Sequence, residues 1–184
     1  MQPDRAAGAC GASPHGAPAA PRQILEWLAE VPDPEIPVIS IVDLGIVRGV
    51  DWEASADGPR CVVTVTPTYS GCPATAVIGR SIEQALTARG IERVRLATRL
   101  APAWTTDWLS EAGRRALADY GIAPPSVRAV QVSGLQRRRD EPPVACPRCG
   151  SVRTRLISQF GSTPCKALHQ CMACREPFDR FKPH

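Results

Sequence analysis

The sequence predicts an α+β domain, a small sheet with helices packed on one face, followed by a C-terminal ribbon stapled by four cysteines. Three observations carry this reading. Two CxxC pairs, Cys146-Pro147-Arg148-Cys149 and Cys171-Met172-Ala173-Cys174, stand near the end of the 184-residue chain with 21 residues between them. Upstream, patterns of apolar residues follow one another in the order helix, hairpin, helix, strand, helix, which suits a small layered α+β fold. Finally, hydrophobic residues make up 43% of the chain but aromatics only 5%, and three of the four tryptophans precede residue 105, so one main core belongs to the first two thirds.

Residues 1–20 are rich in Ala, Gly and Pro and bury too little to order themselves, so they are expected to be a disordered tail. Pro21 to Val31 reads as an amphipathic helix, with Ile24, Leu25, Leu28 and Val31 on one side and Arg22 and Glu30 on the other. Pro32, Pro34 and Pro37 break it and make Asp33-Pro34-Glu35-Ile36-Pro37 a stiff extended or turn segment. Ser40 to Leu44 forms a short turn closed by Gly45. Ile46 to Trp52 and Arg60 to Thr66 form a hairpin around the polar tip Ser55 to Pro59. After the loop Thr68-Tyr69-Ser70-Gly71, Pro73 to Arg89 is the best helix of the chain, with Val77, Ile78, Ile82, Ala85 and Leu86 as its stripe and Gly90 as its stop. Arg93 to Leu100 alternates as a half-buried strand with a basic outer face of Arg93, Arg95 and Arg99. Thr106 to Tyr120 is expected as a last helix, capped by Thr105 or Thr106 and ended by Gly121. The domain so defined runs from 21 to 123. A linker is expected over 124–143, where Val127 to Val132 could add a strand, and the ribbon over 144–184.

In the ribbon, two residues between cysteines let both sulfurs turn toward one ion, and Gly150 relieves the tight turn behind Cys149. The spacing fits a strand out, a loop and a strand back. Val152 to Ser158 serves as the first strand, Gly161-Ser162-Thr163-Pro164 as the turn, and Pro177 to Phe181 finishes the sheet. A module this small and poor in large apolar side chains needs metal to fold. Cys146, Cys149, Cys171 and Cys174 leave no open coordination position, so the reading is a structural zinc ribbon with four cysteine ligands. An iron or iron–sulfur centre uses the same thiolates and stays open as the alternative. Cys165, His169 and His184 lie nearby. The histidines read as ordinary loop residues, and Cys165 as a fifth thiolate able to exchange with the site.

Charge and composition exclude several classes. The net charge of +4 is too small to argue for nucleic acid, and Arg137-Arg138-Arg139 lacks the interleaved aromatics of a single-strand binder. No apolar run reaches the roughly 18 residues of a membrane span. The start of the chain does not read as a secretory signal, and the CxxC pairs favour metal or thiol chemistry in a reducing compartment, so the expectation is a cytoplasmic protein. Only three histidines exist, at 15, 169 and 184, which weakens any case for acid–base catalysis in the first domain. Candidates for chemistry remain in two places. Cys72 precedes Pro73 and is expected at the N-cap of the main helix, where the dipole favours a thiolate; a buried cysteine used as a small hydrophobe is the competing reading. Asp33 and Glu35, with Asp43 a few residues on, are either metal ligands or helix and turn caps.

The run from Asp33 to Val47, the segment Thr66-Pro67-Thr68-Tyr69-Ser70-Gly71-Cys72-Pro73 and the helix entry Trp104-Thr105-Thr106-Asp107-Trp108 resemble the small domain of iron–sulfur assembly proteins of the SufT type. The tail, Phe160 to Leu168 and Glu176-Pro177-Phe178, narrows the resemblance to the family of accessory D proteins of bacterial phenylacetyl-CoA epoxidase systems, which act in phenylacetate degradation. The resemblance covers roughly residues 22–184. It implies a non-catalytic maturation factor for a multicomponent di-iron monooxygenase, with the oxygenase subunits or their reductase as partners. Cys72, helped by Asp33 or Glu35, would then be the residue that holds a transient iron or iron–sulfur cluster. Alternatives of other classes are a stable structural or adaptor subunit of the oxygenase complex and a nucleic-acid-binding ribbon protein. A homodimer is one open state of association.

Overall fold

The computed structural model of the protein describes residues 18–125 and 143–183. Residues 1–17 of the expected tail, residues 126–142 of the expected linker with its optional strand at Val127 to Val132 and the Arg137-Arg138-Arg139 run, and His184 lie outside the described residues; the end of the expected tail is ordered, with the Ala19 carbonyl accepting the Trp52 indole N–H at 2.9 Å.

Helix α1 spans Pro21–Leu28, with proline in its first turn, and buries Ile24 and Leu28. It stops three residues short of Val31, which is buried by the following turn instead. The proline segment then folds back on itself: Asp33 N–H donates to the Ile39 carbonyl at 2.8 Å, and Pro32 bridges Ser40. Three isoleucines, Ile36, Ile39 and Ile41, plug this loop into the core. Prolines end the helix and isoleucines anchor the loop after it, so a segment with few regular hydrogen bonds is still rigid.

Strands β1 (Val47–Glu53) and β2 (Arg60–Val65) form the expected antiparallel hairpin, turned at Gly58. Strand β3 (Val94–Thr98) lies parallel to β2, giving the order β1-β2-β3. A parallel neighbour needs a crossover, and α2 (Thr75–Thr87) supplies it. Ile78, Ile82 and Leu86 of α2 are buried against the sheet, and Gly79 lets the helix approach: a Cβ there would meet Leu96 Cδ1 at 2.9 Å. The basic outer face of β3 is partly neutralised, because Arg95 forks onto both carboxylate oxygens of Glu53 at 2.8 and 2.9 Å.

The last helix also departs from expectation. It is broken into a 3-10 turn, Thr106–Trp108, capped by Thr105, and α3, Glu111–Tyr120, capped by Ser110 through the Gly113 N–H. Ser110 outcompetes Thr105 as the α-helical cap because Asp43 fixes it: Ser110 Oγ donates to Asp43 Oδ1 at 2.6 Å, and its N–H donates to the Asp43 carbonyl. Asp43 also receives Ser40 Oγ, so this carboxylate is a structural tie between the loop and α3. Gly45 follows in the left-handed region at φ 74°, and a Cβ there would lie 2.5 Å from the Trp108 carbonyl oxygen.

The C-terminal unit is an antiparallel sheet in the order β4-β5-β6, from β4 (Thr154–Ser158), β5 (Lys166–Cys171) and β6 (Pro177–Phe181). It is fastened to the first unit. Ala123 donates to the Asp179 carbonyl and accepts from the Phe181 N–H, extending the ribbon sheet by one bridge. Phe181 is 1% exposed and packs on Trp104 with ring centroids 5.9 Å apart. With Cys165 it belongs to the main core around Ile24, Ile82 and Leu117. No helix among the described residues is long and apolar enough to cross a membrane.

Candidate metal centre and thiol site

Cys146 and Cys149 stand on the turn before β4; Cys171 ends β5 and Cys174 closes the turn into β6. Their sulfurs all lie within 4.8 Å of one another. The separation is 3.8 Å between Cys146 and Cys174 and 3.6 Å between Cys149 and Cys171. Metal–sulfur bonds of about 2.3 Å in a tetrahedron require sulfur–sulfur edges of about 3.8 Å, so the four sulfurs have the spacing of a tetrahedral thiolate site and can hold a metal ion. The backbone prepares them for charge. The N–H groups of Cys174 and then Ala173 pull the Cys171 thiol down to about 6, while Cys174, despite the N–H of Glu176, is pushed up to about 12 by desolvation and its three sulfur neighbours. Four sulfurs that cannot all be charged alone are a site that a cation completes. Gly150 sits at φ 71°, where the knuckle requires it.

The local core around these ligands is very small. It consists of Ala123, Phe178 and two of the four clustered cysteines, Cys146 and Cys171, with Val144 at its edge.

The second site lies where the proline loop, the loop after β2 and the β4–β5 loop meet. Asp33 is 5% exposed, and its Oδ1 accepts the N–H groups of both Glu35 and Ile36 at 2.9 Å. That oxygen therefore shapes the loop as a turn cap. Burial nonetheless pushes the Asp33 carboxyl up, against the pull of those two N–H groups. Glu35 is half-buried and points its Oε2 at the Cys165 sulfur, 3.9 Å away.

Cys72 is half-buried, but it is not the capping residue expected. The N-cap of α2 is Ala74, with no side-chain cap bond. Pro73 serves a turn instead: the Thr75 N–H closes onto the Cys72 carbonyl at 3.2 Å, which places proline at the second position, where its fixed φ is equally favourable. Cys72 lines a small apolar cavity of about 40 Å³ with Pro67, Ile78 and Leu96. The Tyr69 carbonyl accepts the Cys72 N–H at 3.2 Å, and the Tyr69 hydroxyl is pushed up by burial and then by the charges of Cys72, Glu35 and Cys165.

Cys165 was not expected here. Its place at the head of β5 puts it at the opposite end of that strand from Cys171, about 20 Å away at roughly 3.3 Å per residue. It is thus no exchanging fifth ligand of the ribbon metal. It is buried beside Thr163 Oγ1 at 3.1 Å, and burial pushes its thiol up. Lys166 next to it is buried too, with its ammonium 3.7 Å from Asp179. His169 is buried and stacked on Phe178, outside the cluster of four sulfurs.

Comparison with known proteins accounts for both units. Residues 21–95 match the iron–sulfur cluster assembly protein family, and residues 131–182 match the PaaD zinc beta ribbon domain. Two solved structures resemble part of the chain. A DUF59 protein of unknown function from Bacillus anthracis is 28% identical, with a TM-score of 0.45 over 52% of this chain and 89% of its own. Rv1466 from Mycobacterium tuberculosis, described as associated with Fe-S complex assembly and repair, is 32% identical, with a TM-score of 0.35 over 60% of this chain and 98% of its own. A full-length relative is the Escherichia coli K12 protein described as a subunit of 1,2-phenylacetyl-CoA epoxidase. It is 49% identical over 166 residues, 89% of this chain and 94% of that protein. With an assembly-type domain, a four-sulfur ribbon and that identity across nearly the whole length, this chain belongs to the PaaD family.

Proposed function

We propose that this protein is a non-catalytic accessory factor of a multicomponent phenylacetyl-CoA epoxidase, acting in the cytoplasm in phenylacetate catabolism to help assemble an iron or iron–sulfur centre of that enzyme. The observation that carries the reading is the half-buried thiol of Cys72 on a loop of the domain that matches the iron–sulfur cluster assembly family, in a chain with a full-length relative assigned to that epoxidase. In this reading Cys72 is the residue that holds the iron cargo, and Asp33 and Glu35 help it. Asp33 does so by fixing the loop through the two N–H bonds it accepts, and Glu35 by offering the half-buried carboxylate that faces Cys165. The ribbon metal is a resident zinc held by Cys146, Cys149, Cys171 and Cys174. Its chemistry is structural, since four protein thiolates close the coordination sphere. Subunits of the oxygenase or its reductase are the partners, and Val152, Leu156, Ile157 and Phe160, all exposed on the ribbon, are apolar enough to meet them.

The test is metal and acid-labile sulfide content of protein purified without oxygen, wild type against Cys72→Ala, with epoxidase activity in cells as the second readout. One zinc in both proteins and iron lost only from the variant is the expected result. A Cys72→Ala protein that restores epoxidase activity fully would overturn the cargo role. A second reading, a permanent adaptor in the oxygenase complex, is favoured by the description of the Escherichia coli relative as a subunit. It requires co-purification with the oxygenase in fixed ratio, and an active purified oxygenase lacking this chain would eliminate it.

A further inference from the structure

The two edges of the ribbon sheet differ. The outer edge of β6 is taken by the bridge between Ala123 and Arg180. The outer edge of β4 pairs with no strand among the described residues. The hydrogen-bond pattern fixes which groups that edge presents. The Met172 N–H donates to the Arg153 carbonyl at 2.7 Å, so Arg153 and, two residues on, Arg155 turn their backbone groups toward β5. Thr154 and Leu156, which alternate with them, turn theirs outward. Thr154 spends its N–H on the Val152 carbonyl, which leaves Leu156 as the donor of the edge. Edges are normally blunted by charge, proline or a bulge. Here the register shifts between Leu156 and Ser158, yet the side chains around that point are apolar: Leu156 is 45% and Ile157 50% exposed, with Val152 and Phe160 more so. Leu156 also forms one wall of a cavity of about 280 Å³, with Gln159, His169, Arg180 and Lys182 among the others.

Charge says what kind of strand fits there. Residues 143–183 carry seven basic and two acidic side chains, whereas residues 18–125 carry ten and thirteen. From Pro143 to Arg175 there is no acidic residue at all. Four thiolates on a divalent ion return two negative charges and still leave the ribbon positive. Arg153 and Arg155 stand exposed along β4 itself, and Arg155 is held by the neutral amide oxygen of Gln170. We propose that the β4 edge docks an extended, acidic segment of an epoxidase subunit, which joins the ribbon sheet as a fourth strand and lays an apolar side chain on Leu156 and Phe160. This deepens the accessory reading and rests on it for the identity of the partner. In strand addition the main-chain bonds supply affinity and the alternating side chains supply specificity, which matches an edge with an outward N–H between two arginines and an apolar cluster. Single-stranded nucleic acid asks for a different surface, a series of aromatic rings to stack on. The edge has one such ring, Phe160, beside aliphatic residues and with the Lys182 ammonium 4.6 Å from its centre.

The experiment mixes the full chain, with zinc in its ribbon, with each purified oxygenase subunit and with the reductase, metal-free and loaded. Readouts are affinity and association rate at low and high salt, and amide hydrogen exchange along β4 in the free chain and in the mixture. Variants are Leu156→Ala, which trims the side chain, and Leu156→Pro, which also removes the outward N–H and suits an edge position. Arg153→Glu reverses one charge on β4, and Arg80→Glu makes the same change on the exposed surface of the first unit. In the expected result one subunit binds, more weakly at high salt, and the Leu156 amide exchanges fast in the free chain and slowly in the mixture. Arg153→Glu slows association about tenfold, and Arg80→Glu does not. Leu156→Pro keeps its zinc and binds about tenfold more weakly than Leu156→Ala, the worth of one hydrogen bond. A subunit that binds while exchange along β4 stays fast preserves the partner assignment and overturns the docking edge. No binding by any subunit overturns both. A Leu156 amide already slow in the free chain means that the edge is covered by this chain or by a second copy, and the proposal falls. It falls equally if Arg153→Glu associates as the wild type does, or if poly(U) RNA, run as a second probe, binds more tightly than every subunit. Should Leu156→Pro lose its zinc, exchange at Leu156 and the Arg153→Glu rate decide.

Discussion

The two sheets of this protein are held together by different means. The first is built around a continuous apolar core that runs from Ile24 and Leu28 through Val63 and Ile82 to Leu117. The second has almost none of its own: one phenylalanine and two of the four clustered cysteines, with Ala123 lent by the first unit. The ribbon can make up the deficit twice, by four sulfurs placed to hold a metal across its two knuckles and by lodging Cys165 and Phe181 in its neighbour's core. A three-stranded unit therefore need not be self-sufficient to be well defined, because burial it lacks internally can be found across an interface.

The largest effect is expected at the metal. Cys146→Ser, or exhaustive chelation, removes the contribution of a structural zinc, roughly 10–16 kcal/mol as an apparent value. The ribbon amides should lose protection from hydrogen exchange while those of β2 and α2 keep it. Uniform loss across both sheets would mean that the first unit depends on the ribbon as much as the ribbon depends on metal. Next comes Phe181→Ala, which empties a fully buried site against Trp104 and should cost about 3–5 kcal/mol in urea unfolding followed by tryptophan emission. An unchanged midpoint would show that the shared core is shared in geometry but not in energy. Gly45→Ala acts on the first unit alone. The left-handed backbone costs about 1–2 kcal/mol, and the approach to the Trp108 carbonyl adds to it, yet zinc content should stay at one per chain. The smallest effect is a pH dependence at Asp33. Its carboxyl titrates higher folded than unfolded, so its ionised form disfavours the fold; the related stability is complete below the unfolded value of 3.8 and is lost as pH rises through the folded value. Asp33→Asn keeps an oxygen for the two N–H bonds and cannot ionise. Its melting temperature relative to wild type should therefore rise with pH across that window and then level off, a comparison in which acid effects on the ribbon cancel.

Much of this was legible in the amino-acid sequence, because strong local signals agreed with the tertiary result. The hairpin, the stripe of α2, the stops at Gly90 and Gly121 and the ribbon strand Pro177–Phe181 all follow from periodicity and turn chemistry. What failed were boundaries at which two local rules compete. Pro73 suits a helix start and a turn equally, and the turn won because Thr75 closes on Cys72. Thr105 and Ser110 are both good caps, and a contact with Asp43, 67 residues away, selected Ser110 for α3. The thiol site was half visible. Cys72 and the Asp33–Glu35 segment stand out as motifs, whereas the approach of Cys165 to Glu35 is a contact between residues 130 positions apart, which no local pattern encodes. The signal that could have pointed to it was its place in the Phe160–Leu168 tail motif, whose chemistry the ribbon itself does not use.

The single bridge at Ala123 has a practical corollary. Because residue 123 is already a member of the β6 edge and the aromatic plug at 181 fits a socket across the boundary, the covalent path between the two units is not what aligns them. A chain cut between residues 125 and 143 should yield halves that find each other when zinc is supplied and drift apart when it is withdrawn. Reassociation of those halves would then be scored as a metal-gated binding event.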